Sequence, residues 1–90
     1  MDCIVRVELK GYANEADYLK LHQEMARRGF LRTIKGNDDR TYALPPAEYY
    51  APSVDSAKGC QIGREAATTT GKSYEVVATS GTTTFFLPAK

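Results

Sequence analysis

A chain of ninety residues, 42% hydrophobic with nine aromatics, can close one modest core but not two, which excludes a multidomain or a disordered protein. Twelve Lys and Arg against eleven Asp and Glu leave a net charge of +1, too small for a surface dominated by phosphate binding, although a local basic patch remains open. No stretch approaches the roughly 18 apolar residues of a membrane span, and the opening "MDCIVRVELKG" is charged throughout, so a cytoplasmic protein without a membrane partner is expected.

Residues 3–9, "CIVRVEL", alternate, with Cys3, Val5, Val7 and Leu9 on one side and Arg6 and Glu8 on the other. Period two with β-branched residues predicts a half-buried strand that Gly11 ends. "NEADYLKLHQEMARRG", 14–29, predicts a helix. Asn14 can cap it, with Asp17 reaching back in a capping box. Glu15 and Asp17 suit the positive end of the helix dipole, and Arg27 and Arg28 the negative end. Gly29 is the expected stop, Tyr18, Leu21, Met25 and Ala26 the expected buried stripe, and Phe30 is expected to fold back on the last turn.

"FLRTI", 30–34, predicts a second strand, "KGNDD" a turn, and "TYAL", 41–44, the return, so that 30–44 is a hairpin. Pro45 and Pro46 cannot donate to a ladder, yet "AEYY" continues as a strand; a bulge or kink with Ala47 and Tyr49 resuming the inward face reconciles the two. A second helix is expected over about 53–69 with Ser53 as its cap and Val54, Ala57, Cys60, Gln61 and Arg64 on one side. Gly59 and Gly63, each costing about 1 kcal/mol against Ala in a helix, make it the weaker of the two. "SYEVVATS", 73–80, is the last clear strand, and "TTTFFLPAK" reads either as a fifth strand or as a loose tail. The order β-α-β-β-α-β is the split βαβ arrangement: an α+β domain over 1–90, one antiparallel sheet with two helices on one face.

Cys3 and Cys60 are expected as free thiols, and with no CxxC or Cys/His pair neither a metal nor a cofactor is expected. The stretch 27–40, "RRGFLRTIKGNDDR", concentrates Arg27, Arg28, Arg32, Lys35 and Arg40. These could hold phosphates, or they could serve the helix dipole and a solvated hairpin, with Asp38 and Asp39 diluting the field. His22, the only histidine, titrates near neutrality and is the one candidate proton-transfer group, though a lone His is more often a boundary residue. Tyr42, Tyr49, Tyr50 and Tyr74 could stack bases, but core packing is the simpler role. Glu8 and Glu48 could meet on neighbouring strands, as metal chemistry would need, without the spacing requiring it. "TTTGK", 68–72, lacks the first glycine of a phosphate loop and is rejected.

Taken together, "RVEL", "YLKLH", "GFLRTI", "TYALPPAEYY" and "TGKSYEV" resemble the antitoxins of type V toxin–antitoxin systems, the GhoS-type endoribonucleases, over roughly residues 4–78. The resemblance implies a bacterial protein with a ferredoxin-like βαββαβ fold, related to the Cas2-like nucleases. It implies cleavage of the message of a membrane toxin without a defined metal requirement. Cas2-like proteins carry an aspartate at the end of the first strand, whereas here Lys10 and Gly11 follow Leu9. An arginine near the end of the first helix is expected to contact RNA, and Arg27 and Arg28 occupy that place. The expected function is therefore RNA binding through Arg27, Arg28, Arg32, Lys35 and Arg40, extending to cleavage with His22 and Arg28 as catalytic groups. The alternative is a non-enzymatic module that associates with itself or another protein through a sheet edge or the C-terminal segment.

Overall fold

The computed structural model describes residues 2–87. The elements run β1 (Asp2–Leu9), α1 (Glu15–Arg27), β2 (Thr33–Lys35), β3 (Thr41–Ala43), β4 (Glu48–Pro52), α2 (Ser56–Thr68) and β5 (Tyr74–Gly81). β1 is central in a three-stranded antiparallel sheet of order β4-β1-β5, and β2 and β3 form a separate two-stranded antiparallel sheet. The fold is α+β.

The expected alternation of β1 holds: Cys3, Val5, Val7 and Leu9 are buried. They join Leu21 and Met25 of α1, Tyr49 and Ala51 of β4, and Ala66 and Ala67 of α2 in one cluster, so both helices cover the same face of the sheet. Each valine so enclosed contributes about 1.5–3 kcal/mol relative to an exposed one.

Helix α1 starts with the predicted capping box: Asp17 N donates to Asn14 Oδ1, and Asn14 N to Asp17 Oδ2, each at 3.0 Å. It ends at Gly29, whose φ of +88° suits a residue without Cβ. Gly29 N donates to Ala26 O and Phe30 N to Met25 O, a Schellman closure that tucks Phe30 fully into the core. Ala26 is exposed, contrary to expectation. At about 100° per residue it lies roughly 140° around the helix from Leu21, outside the arc that faces the sheet.

Helix α2 departs further from expectation. Its cap is Asp55, whose side chain accepts from Lys58 N at 2.7 Å, while Ser53 has a φ of +60° and stays outside the helix. The buried face is Gly59, Gly63, Ala66 and Ala67, and Ala57, Gln61 and Arg64 face solvent. A Cβ on Gly59 would stand 2.5 Å from Cys3 Sγ, and one on Gly63 2.9 Å from Val76 Cγ1 and 3.0 Å from Val5 Cγ1. The glycines that weaken the helix locally are what let it lie close against β1 and β5.

The single sheet expected from the pattern is divided. Residues 30–34 form β2 only from Thr33, preceded by an isolated bridge between Leu31 and Tyr50. After β3 the chain meets Pro45 and Pro46, neither of which has an N–H to donate, and turns at Ala47 with a φ of +65°. Ala47 O still accepts from Val7 N at 3.0 Å, so pairing with β1 begins there and Tyr49 points inward as expected. The prolines thus end one strand and begin another. Residues 82–87 form no strand, and 88–90, the rest of the expected tail, lie outside the described residues. Phe85 nevertheless packs edge-on against Tyr42 of β3, ring centres 5.6 Å apart. No helix among the described residues is long and apolar enough to cross a membrane.

Candidate functional site

His22 lies on the flank of α1, half-buried, with Nδ1 2.7 Å from the hydroxyl of Tyr49 on β4. Tyr49 is fully buried, and the two rings are tilted with centres 5.7 Å apart. Tyr18, one helical turn earlier, stands 6.4 Å from the imidazole. Its hydroxyl accepts from Leu9 N at 3.0 Å, supplying the acceptor at a point of β1 beyond the last contact from the β4 side, Ala47 O on Val7 N. Burial, and after it the positive charge of Arg32, push the pKa of His22 below the ordinary imidazole value. Burial pushes the Tyr49 phenol far up.

The predicted basic residues separate into two groups. Arg28 is engaged: its Nη1 donates to Glu24 Oε1 at 2.7 Å and to Glu24 O at 2.9 Å, and its Nε lies 4.0 Å from Glu65 Oε1 of α2. Arg27 Nη1 reaches Glu24 Oε2 at 3.1 Å, although 73% of the Arg27 side chain is exposed. Glu24 is buried between them, and its hydrogen bond from Arg28 is the main reason its pKa is held down.

The second group lies beyond α1. Arg32 is exposed and has no carboxylate partner among the described residues. Lys35 is 3.8 Å from Asp39 across the hairpin, a solvent-exposed pair of little energetic weight. Asp38 shapes the turn: its Oδ1 accepts from Arg40 N at 3.0 Å and its Oδ2 from the Tyr42 hydroxyl at 2.6 Å. His22 and Arg28, the two expected catalytic groups, therefore have separate partners, and Arg32 is the cation whose charge bears on the imidazole.

The other candidates have structural employment. Tyr50 donates to Asp2 Oδ1 at 2.8 Å, and the Tyr74 hydroxyl lies 3.1 Å from Thr68 Oγ1. Glu8 sits opposite Glu75, with Lys10 Nζ at 2.7 Å and 3.4 Å from the two, while Glu48 sits opposite Arg6. Among the described residues no group of three His, Cys, Asp or Glu side chains could hold a metal ion. Cys3 is buried and Cys60 half-buried, both as free thiols.

Sequence reasoning missed Glu24 and the part played by the Tyr18 hydroxyl. Glu24 could have been found, since a glutamate three and four residues before two arginines lies on their side of a helix. Tyr18 carries no comparable signal, because its hydroxyl matters only where β4 stops short. A groove of about 430 Å³ opens at that point, lined by Arg6, Glu8, Tyr18, Ala47, Glu75 and Val77. Its two glutamates offset its single arginine, and Lys10 bridges the glutamates.

No family model matches the chain, and neither a curated protein nor a solved structure matches it.

Proposed function

We propose that this chain is a small RNA-binding protein of the antitoxin type on a ferredoxin-like frame. The frame is supported by the isolated bridge between Leu31, two residues before β2, and Tyr50 of β4; continued into β2, that pairing would give the order β2-β4-β1-β5. That order, with both helices on one face, is the split βαβ arrangement.

The observation that carries the RNA reading is Arg32, an exposed guanidinium with no carboxylate partner among the described residues, whose charge bears on a half-buried imidazole. A planar guanidinium can hold a phosphate bidentately. Arg40, Lys35 and the largely exposed Arg27 extend the cationic surface along the same stretch of chain. Arg28 is spent on Glu24 and contributes less. RNA can be cut without metal because its 2′-OH is the nucleophile, but a base must take the proton. The Nδ1 of His22 already faces Tyr49. Binding, more than cleavage, is what this arrangement supports.

The test is RNA binding by the wild type across a salt series, with Arg32→Ala and Arg28→Ala beside it. Arg32→Ala is expected to weaken binding and to flatten the salt dependence by about one phosphate contact, and Arg28→Ala to do neither. A wild type with no salt-dependent RNA binding disproves the reading.

A second reading, a non-enzymatic association module, is favoured by Leu31 and Val77, which are 52% and 64% exposed. Val77 projects opposite the core-facing Val76 and Ala78, onto the side of the sheet that the helices leave bare. Sedimentation of wild type against Val77→Lys tests it, and an unchanged molecular mass in both counts against it.

A further inference from the structure

Tyr49 is fully buried, and its hydroxyl has one hydrogen-bond partner among the described residues, Nδ1 of His22 at 2.7 Å. A phenol closed off from water must still place its proton on an acceptor, because an unsatisfied buried donor keeps the full cost of its lost hydration. If Nδ1 carried a proton and donated to the phenol, the phenolic proton would have nowhere to go. A lone pair on Nδ1 satisfies it. The tautomer follows from this accounting, since a proton position is assigned from the network around it.

We propose that Tyr49 donates to Nδ1 and so holds His22 as the neutral Nε2–H tautomer, a latch between α1 and β4 that acid releases. In this state both ring nitrogens are committed, Nδ1 as acceptor and Nε2 as donor. The imidazole can offer a hydrogen bond from Nε2 but cannot act as a base. A further proton can enter only at Nδ1. The phenol would then have to turn its own proton away into the core, and an imidazolium would stand near Arg32.

The rings against the imidazole are Tyr18 from its own helix and Tyr49 from β4, and the charge that bears on it is Arg32 from the segment before β2. They are two phenols and a guanidinium, and no carboxylate among the described residues pairs with the ring to welcome a positive charge. Burial and Arg32 both oppose protonation of the ring, and burial keeps the Tyr49 phenol protonated as a donor. With the folded-state pKa below the ordinary 6.5, the folded protein takes up its proton later than the unfolded chain does. The stabilisation is therefore complete above pH 6.5 and is lost as pH falls from there through the lower folded value. The latch rests on this contact alone and stands whether or not the protein binds RNA.

His22 is the only histidine, so its ring resonances identify themselves. Nitrogen-15 NMR of the full chain, titrated downward from about pH 7.5, where an ordinary imidazole is neutral, reads both tautomer and midpoint. The expected wild-type spectrum shows a protonated Nε2 and a bare Nδ1. Tyr49→Phe is expected to admit the second tautomer and to raise the midpoint by about half a pH unit or more, the equivalent of one ordinary hydrogen bond to the neutral ring. An Nδ1–H ring in the wild type, or a midpoint that Tyr49→Phe leaves in place, overturns the proposal. If Tyr49→Phe does not fold, denaturant melts of wild type and His22→Gln decide alongside the wild-type tautomer. The acid step is expected in wild type and should be flattened in His22→Gln; a step of equal size in both overturns the latch.

Discussion

Arg28 Nη1 lies 2.7 Å from Glu24 Oε1, one helical turn back, and this contact redistributes the chain's most basic stretch. A doublet that could have faced an anionic partner is bound to a carboxylate of its own helix. Beyond the helix end, Arg32 and Arg40 have no carboxylate within ion-pair distance among the described residues.

Glu24→Gln removes the charge that Arg27 and Arg28 share and is expected to lower the melting temperature by several degrees, because a hydrogen-bonded cation at the α1–α2 boundary loses its counter-charge. The pH dependence follows from the same group. Its pKa is held below the ordinary 4.5 in the folded state, so its contribution is present above that value and fades as pH falls through the lower folded one. Thermal melts of wild type and Glu24→Gln between neutral and acid pH should converge at the acid end. Curves that stay parallel throughout would contradict this role.

Gly59→Ala and Gly63→Ala oppose two effects. Alanine gains about 1 kcal/mol of helix propensity, while overpacking a closed core costs about 1–3 kcal/mol. A Cβ at 2.5 Å from the fully buried Cys3 Sγ, or at 2.9 Å from Val76 Cγ1, has no room without moving the helix or the strand. Both variants are expected to be net destabilised in denaturant unfolding, Gly59→Ala more than Gly63→Ala. Either variant matching or exceeding wild-type stability would show that α2 can lift away at no cost.

The start of α2 separates two candidate caps. Asp55→Ala is expected to cost about 1 kcal/mol, the usual loss when an N-cap side chain goes. Ser53→Ala should cost less, because Ser53 caps nothing; its φ of +60° disfavours alanine and serine alike. Equal losses in chemical denaturation would place the helix start elsewhere.

The resolution of α2 separates what local chemistry can tell from what packing decides. Both helices, the capping box of Asn14 and Asp17, the stop at Gly29 and the inward set of β1 were legible in the residues, because each depends on neighbours within a turn or on strict alternation. The face of α2 was not. A search for its apolar side favours the bulky Val54 and passes over glycines, yet glycines face the core because β1 and β5 come too close for a side chain. Tyr49 could be read as inward, but nothing in the sequence tells that its hydroxyl ends on His22, 27 positions away.

By itself, then, the sequence determined the identity of most elements, the caps of α1 and the cationic character of 27–40, all short-range properties of side chains and backbone. The tertiary structure alone decided that the sheet divides at the prolines and that Glu24 occupies Arg28 while Arg32 keeps no such partner among the described residues. It also joined His22 to Tyr49. Those outcomes turn on distances between residues far apart in the chain or on opposite helix faces, set only when two helices settle on one side of β1.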